Sequence, residues 1–142
     1  MKIMLDTNVV VDILSKRDGY EDLLQLVKYC EIRKVEGFIS AITVTDVMYI
    51  LRKHIDPSFV RETVQTLLLI VDVASVLKSD ISYAFSSDMK DYEDAVQSSC
   101  AKRMKADYIV TRNLKNFGKS DVPAISPSGA LKIITMMDNF GN

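Results

Sequence analysis

KIMLDTNVVVDIL, residues 2–14, holds a strand, an acidic turn and a helix in one short run. Lys2 to Leu5 reads as an apolar strand that stops at Asp6. Thr7 or Asn8 then caps a helix carrying Val9, Val10, Ile13 and Leu14 on its apolar side. The same succession recurs down the chain.

Asp18-Gly19 is a turn. A helix is expected from Tyr20 to Lys34, with Leu23, Leu26, Val27 and Cys30 on one face and Gly37 as its stop. Gly37 to Ser40 is a short strand. Thr43 reads as an N-cap, with Asp46 in the capping-box position. Val44, Val47, Met48, Leu51 and Ile55 form the buried stripe of that helix. Pro57 starts the next one, with Val60, Val64, Leu67, Leu68 and Val71 inward. Val71 to Val76 is a strand and Lys78 to Ser86 a short helix. Asp91 to Met104 is a helix, Tyr108 to Thr111 a strand, Pro123 to Ser126 a last strand and Pro127 to Asp138 a last helix. Strands that alternate with helices imply an α/β fold, with a short, mostly parallel sheet of about five strands covered on both faces. Ligands of such sheets bind at the carboxyl ends of the strands.

The 142 residues suit one domain spanning 1–142, with apolar residues at 48% and charged ones at 26%. That size buries enough surface to fold without disulfide or metal. A net charge of −1 excludes a global positive field for coating DNA or an acidic membrane. With His54 the only histidine, no His-pair mechanism or His-rich zinc site can be built. Cys30 and Cys100 are far apart and read as small core residues of a reducing, cytoplasmic compartment. The longest apolar run, Leu67 to Val71, is five residues and cannot span a bilayer. Chemistry must come from carboxylates, hydroxyls, amides, Lys, Arg or Tyr.

Such groups gather at the expected strand ends. Asp6-Thr7-Asn8 follows the first strand. Ser40 and Thr43 lead from the second to Asp46. The strand Tyr108 to Thr111 runs into Arg112-Asn113. Asp91 and Asp94 open the helix before that strand and share a face by their spacing of three. Clustered carboxylates repel, and Mg²⁺ or Mn²⁺ is the usual counter-charge, held by a few carboxylates, water and substrate phosphate. Such a site activates water for phosphodiester hydrolysis. Charge placement agrees. Asp80 to Asp94 carries five acids and one base, whereas Lys102 to Lys119 carries six bases and one acid, Asp107. An acidic pocket beside a basic stretch suits a polyanionic substrate, with Arg112 its best-placed base.

The opening run, SAITVTDVMYILRK (40–53) and DYEDAVQSSCAKRMKADYIVTRNLKNF (91–117) together resemble the PIN domain family. The resemblance covers essentially the whole chain. It implies a three-layer sandwich and a Mg²⁺- or Mn²⁺-dependent endoribonuclease of the VapC type, the toxin of a toxin–antitoxin pair. A small antitoxin, an RNA substrate and a homodimer are implied with it. By position, Asp6, Asp46 and Asp94 match the family's acidic ligands, with Asp91 a spare, and Asn113 would position water or phosphate. Asn8, Thr111, Arg112 and Lys115 would bind nucleic acid. The chain departs from the family at its last acidic position, where Asn113 and Asn116 stand instead and a charge is lost.

Asp6, Asp46, Asp91 and Asp94 can each serve a helix start, Asp12 reads as a surface charge, and His54 suits a helix C-terminus. Other functions remain open beside the nuclease. They are an inactive PIN domain that binds RNA or protein, and a metal-dependent phosphatase or DNA nuclease on a similar sheet.

Overall fold

Ile3, Met4 and Leu5 are all buried, as a strand covered on both faces requires. They form β1 (Lys2–Leu5), the centre of the sheet in this computed structural model, which describes residues 1–140. The last two positions of the expected domain lie outside the described residues. The other strands are β2 (Glu36–Ser40), β3 (Asp72–Ala74), β4 (Tyr108–Val110) and β5 (Ala124–Ile125). Their order is β3-β2-β1-β4-β5 and every pairing is parallel, with Met4 opposite Phe38 on one side and Ile109 on the other. The expected α/β class and its five-stranded parallel sheet are therefore what the chain forms.

Parallel neighbours need crossovers, and helices supply them. They are α1 (Thr7–Ser15), α2 (Tyr20–Glu31), α3 (Ala41–Leu51), α4 (Pro57–Leu67), α5 (Lys78–Ser86), α6 (Tyr92–Arg103) and α7 (Pro127–Phe140). Strand alternation divides the core into two layers. Ile3, Leu5, Ile39 and Val110 pack with α1, α2, α3, α4 and α7. Met4, Phe38 and Ile109 pack with Ala84 of α5, Val96 and Cys100 of α6, and Phe117. Both cysteines are buried and free. No helix among the described residues is long and apolar enough to cross a membrane.

The first helix has Asp6 as its N-cap, not Thr7 or Asn8, and β3 and β5 are shorter than the expected Val71 to Val76 and Pro123 to Ser126. Three further differences each have a local reason. The N-cap of α3 is Ser40, not Thr43: Ser40 is extended (φ −81°, ψ 159°) and accepts the Thr43 amide at 3.3 Å. Strand and helix share that residue, so Thr43 falls inside the first turn and no capping box with Asp46 exists. Second, α2 ends at Glu31 because Arg33 turns left-handed (φ 63°). Gly37 is not its stop but a buried position of β2. A Cβ there would lie 2.7 Å from Cys30 Sγ and 3.2 Å from Val71 Cγ1. Third, a 3₁₀ turn, Leu114–Phe117, follows β4 where no element was expected. Phe117 anchors it at 3% exposure, a single apolar contact too short to give a periodic signal.

Gly37→Ala should lose about 1–3 kcal/mol of stability by overpacking. Cys30→Ala combined with it should cost less than the two single changes summed, because the clashing sulfur is gone. Denaturant unfolding of the four chains measures this. Strict additivity would show that Gly37 is not constrained by Cys30.

Candidate active site

Asp6 leaves β1 at its carboxyl end and is only 5% exposed. Its amide donates to the Val110 carbonyl of β4 at 3.0 Å, so the sheet fixes its backbone. A buried carboxylate needs donors. Thr111, one residue past β4, donates its hydroxyl to Asp6 Oδ2 at 3.0 Å. Gln97 of α6 directs Nε2 to Oδ1 at 3.5 Å. The Thr7 amide is a third donor. Burial still pushes the Asp6 carboxyl above its ordinary value, because those donors offset desolvation only in part, and the Asp91 charge adds to the rise.

Gln97 is held as tightly as it holds. Its Nε2 also donates to Thr43 Oγ1 at 3.0 Å, and its Oε1 accepts from the Ser40 hydroxyl at 2.5 Å. Thr43 and Thr7 hydroxyls meet at 2.9 Å. All these side chains are nearly or fully buried. The network thus joins the ends of β1, β2 and β4 to α6.

The acids above this floor fall in two sets. Asp94 is pushed up to about 6, first by burial and then by the charges of Asp6 and Asp91, against a hydrogen bond with the Asn116 side chain. Asp91 is the N-cap of α6, its Oδ1 accepting the Asp94 amide at 2.9 Å. Glu93 is pushed up to about 8, chiefly by its hydrogen bond to the Asp46 carboxyl, then by burial and the charges of Asp46, Asp91 and Asp94. Asp46 thus sits with Glu93, which lines the same opening as Asp6 and Asp94. The expected convergence brings Asp6, Asp91 and Asp94 within reach of one another's charges, with Asp46 joined to them through Glu93. Among the described residues, no group of three or more His, Cys, Asp or Glu is arranged to hold an ion. The donors do fit a hard cation bound by one or two carboxylates and otherwise by water, the habit of Mg²⁺. The Asp6 charge raises the proton affinity of Asp94, and the Asp91 charge raises that of both, the strain a cation would relieve.

The expected nucleic-acid contacts are redistributed. Thr111 is fully buried and committed to Asp6, so it offers no surface to RNA. Its oxygen also accepts from Asn8 Nδ2 at 3.3 Å and from the Asn113 amide at 3.0 Å. Asn8 Oδ1 accepts the Arg112 amide at 3.3 Å, so Asn8 ties α1 to the end of β4. The Asn113 contact is a backbone one, whereas Asn116 reaches Asp94. Asp12 is no surface charge. It is 7% exposed, and its Oδ2 holds Arg112 Nε at 3.0 Å. An opening of about 280 Å³ remains, lined by Asp6, Asn8, Glu93, Asp94 and Arg112 among others.

Sequence reasoning missed Gln97, Glu93, Asp12 and the part of Asn116. Spacing could have found two of them. Gln97 lies three residues after Asp94 on α6, and Asp12 four after Asn8 on α1. Glu93 is a first-turn acid of α6, and its partner Asp46, 47 residues earlier, is brought to it by the fold alone.

The family model of the PIN domain matches residues 2–115. No curated protein matches the chain significantly. Among solved structures, the chain is similar to VapBC2 from Rickettsia felis bound to a promoter DNA fragment. The identity is 20%, over 89% of this chain and 98% of that one, with a TM-score of 0.69. A toxin–antitoxin complex from Klebsiella pneumoniae matches at 20% identity over 88% and 97%, TM-score 0.67. Mycobacterium tuberculosis VapC20, a toxin that cleaves the Sarcin-Ricin loop, matches at 11% over 75% and 86%, TM-score 0.59.

Folding raises the proton affinity of Asp94 from 3.8 to about 6 and of Glu93 from 4.5 to about 8. The native state then binds more protons than the unfolded chain across that span. Stability must therefore fall as pH rises through it. In EDTA, the melting temperature should drop between about pH 4 and pH 8. Glu93→Gln should flatten the upper part of the fall, and Asp94→Asn the lower. Curves that superimpose on the parent's would refute the assigned strain.

Proposed function

The chain belongs to the PIN domain family, and we propose that it is a divalent-metal-dependent endoribonuclease acting as a single PIN unit. The observation that carries this is the pairing of Asp6 with Asp94. The Asp6 charge presses on Asp94, and Asp91 on both, at the carboxyl edge of a parallel sheet, over a floor of hydrogen-bonded side chains. Asp6 and Asp94 would hold Mg²⁺ or Mn²⁺, with Asp91 close by. Such an ion supplies a Lewis acid for the phosphate and a water made acidic enough to attack it.

The chain's own groups do the rest. Thr111 and Gln97 aim Asp6. Arg112, steadied by Asp12, and Lys115 bind phosphate beside the opening. Glu93 keeps its proton at neutral pH and faces the same opening, so it is placed to protonate the departing 3′-oxygen. Asp46 acts through Glu93, as its hydrogen-bond partner. Asn116 takes the part expected of Asn113, as the neutral partner of Asp94.

The similar structures described as VapBC and toxin–antitoxin complexes support a toxin role with a small antitoxin, and VapC20's description supports RNA as substrate. An apolar opening of about 570 Å³, lined by Val11, Leu14, Ile50, Ile55 and Phe59 among others, gives an antitoxin segment a surface. Homodimerisation belongs to the same reading. The second reading is an inactive PIN domain that binds RNA or protein. It is favoured by Asn116 standing at Asp94 where an acid is expected.

Purified protein with Mn²⁺ should cleave RNA, leaving 5′-phosphate and 3′-hydroxyl ends. Asp6→Asn should abolish cleavage, and Thr111→Val should slow it about ten- to a hundredfold by freeing Asp6. Cleavage that survives Asp6→Asn would end the nuclease reading of this site. Mn²⁺ binding without cleavage would favour the binding module.

A further inference from the structure

A second cleft lies beside the acidic site, and its chemistry is opposite. It measures about 710 Å³, against about 280 Å³ for the opening over Asp6. Lys90, on the segment between α5 and α6, stands on one wall, and Lys115 and Lys119 stand on the other. Among the described residues, none of the three makes an ion pair or side-chain hydrogen bond, although Asp88 and Asp91 line the same cleft. Elsewhere Lys34, Lys102, Arg103 and Arg112 each hold a carboxylate. Three unpaired lysines against two carboxylates leave the cleft a net positive charge with no internal ligand.

The walls are rigid and connected to the acids. Met89 is 7% exposed and Phe117 is 3% exposed, so each wall is pinned to the core under its lysines. Asp91 caps the Asp94 amide, and Asn116 bonds the Asp94 side chain; both also line the cleft. The cleft therefore begins at the carboxylates proposed to hold metal. Its volume is that of a site for a ligand of roughly two nucleotides.

We infer that this cleft is a substrate subsite that binds the phosphates of single-stranded RNA flanking the scissile bond, through Lys90 and Lys119 together with Lys115. The inference rests on the nuclease reading and extends the substrate contacts past Arg112. Its lysines act as point charges on the backbone, so they tighten binding without reading bases.

The test is fluorescence anisotropy of a single-stranded RNA oligonucleotide on Asp6→Asn protein across a salt series. Lys90→Ala/Lys119→Ala should weaken binding roughly tenfold and lower the salt slope by about 1.4, the release of two phosphates' counterions. Gly118→Leu should weaken binding without changing charge. Gly118 lines the cleft with an ordinary φ of −58°, and a Cβ there meets only the Lys115 carbonyl oxygen, at 3.5 Å. Lys28→Ala/Lys132→Ala, on exposed faces of α2 and α7, should leave the slope unchanged, and thermal melts confirm that each chain folds. If RNA binds and the Lys90/Lys119 double variant keeps the parent's affinity and slope, the subsite is refuted while the nuclease reading stands. If the parent binds no RNA, the subsite is refuted, and Mn²⁺-dependent cleavage by the wild-type chain decides the nuclease reading separately.

Discussion

The buried carboxylate of Asp6 sets the terms for the rest of the structure. At 5% exposure, at the end of the central strand, it cannot rely on water for solvation. The protein answers with a hydroxyl from beyond β4, an amide from α6 and the backbone of α1. Each donor is itself held, Thr111 by Asn8 and Asn113, Gln97 by Ser40 and Thr43. Three strand ends and two helix starts are thereby locked around one charge. What the donors leave uncompensated is the property a cation would use.

The same economy appears in α6. One helix start supplies the N-cap Asp91, the raised acids Glu93 and Asp94, and, one turn on, the orienting Gln97. Its other face is core, through Val96 and Cys100. The functional side chains therefore stand on a rigid element, and their spacing along the helix sets their spacing in the site.

The order of elements was legible because strands buried on both faces and amphipathic helices leave strong local patterns. Lys2–Leu5, Lys78–Ser86 and the start of α4 at Pro57 fall where periodicity and proline place them. The Ser40 cap was hidden because one residue serves strand and helix together. Asp6 and Asp94 were legible as acids at a strand end and a helix start. The pairing of Asp46 with Glu93, and of Asp12 with Arg112, was not, because each joins elements far apart in sequence. Thr111 was misread for a related reason: sequence marks a polar residue at a strand end but not which way its hydroxyl turns.

Net charge showed the same limit. A total of −1 suggests indifference to polyanions. Folded, the chain sets its raised acids beside a lysine-lined cleft, so opposite fields adjoin. The central claim is that Asp6 and Asp94 form one cation site, in which the Asp6 charge strains Asp94. Mn²⁺ binding, followed by electron paramagnetic resonance from pH 5 to pH 8, tests it most directly. The account predicts affinity that rises with pH as Asp94 and Glu93 give up protons, and that disappears in both Asp6→Asn and Asp94→Asn. Binding that is absent, independent of pH, or unchanged by either substitution would contradict it.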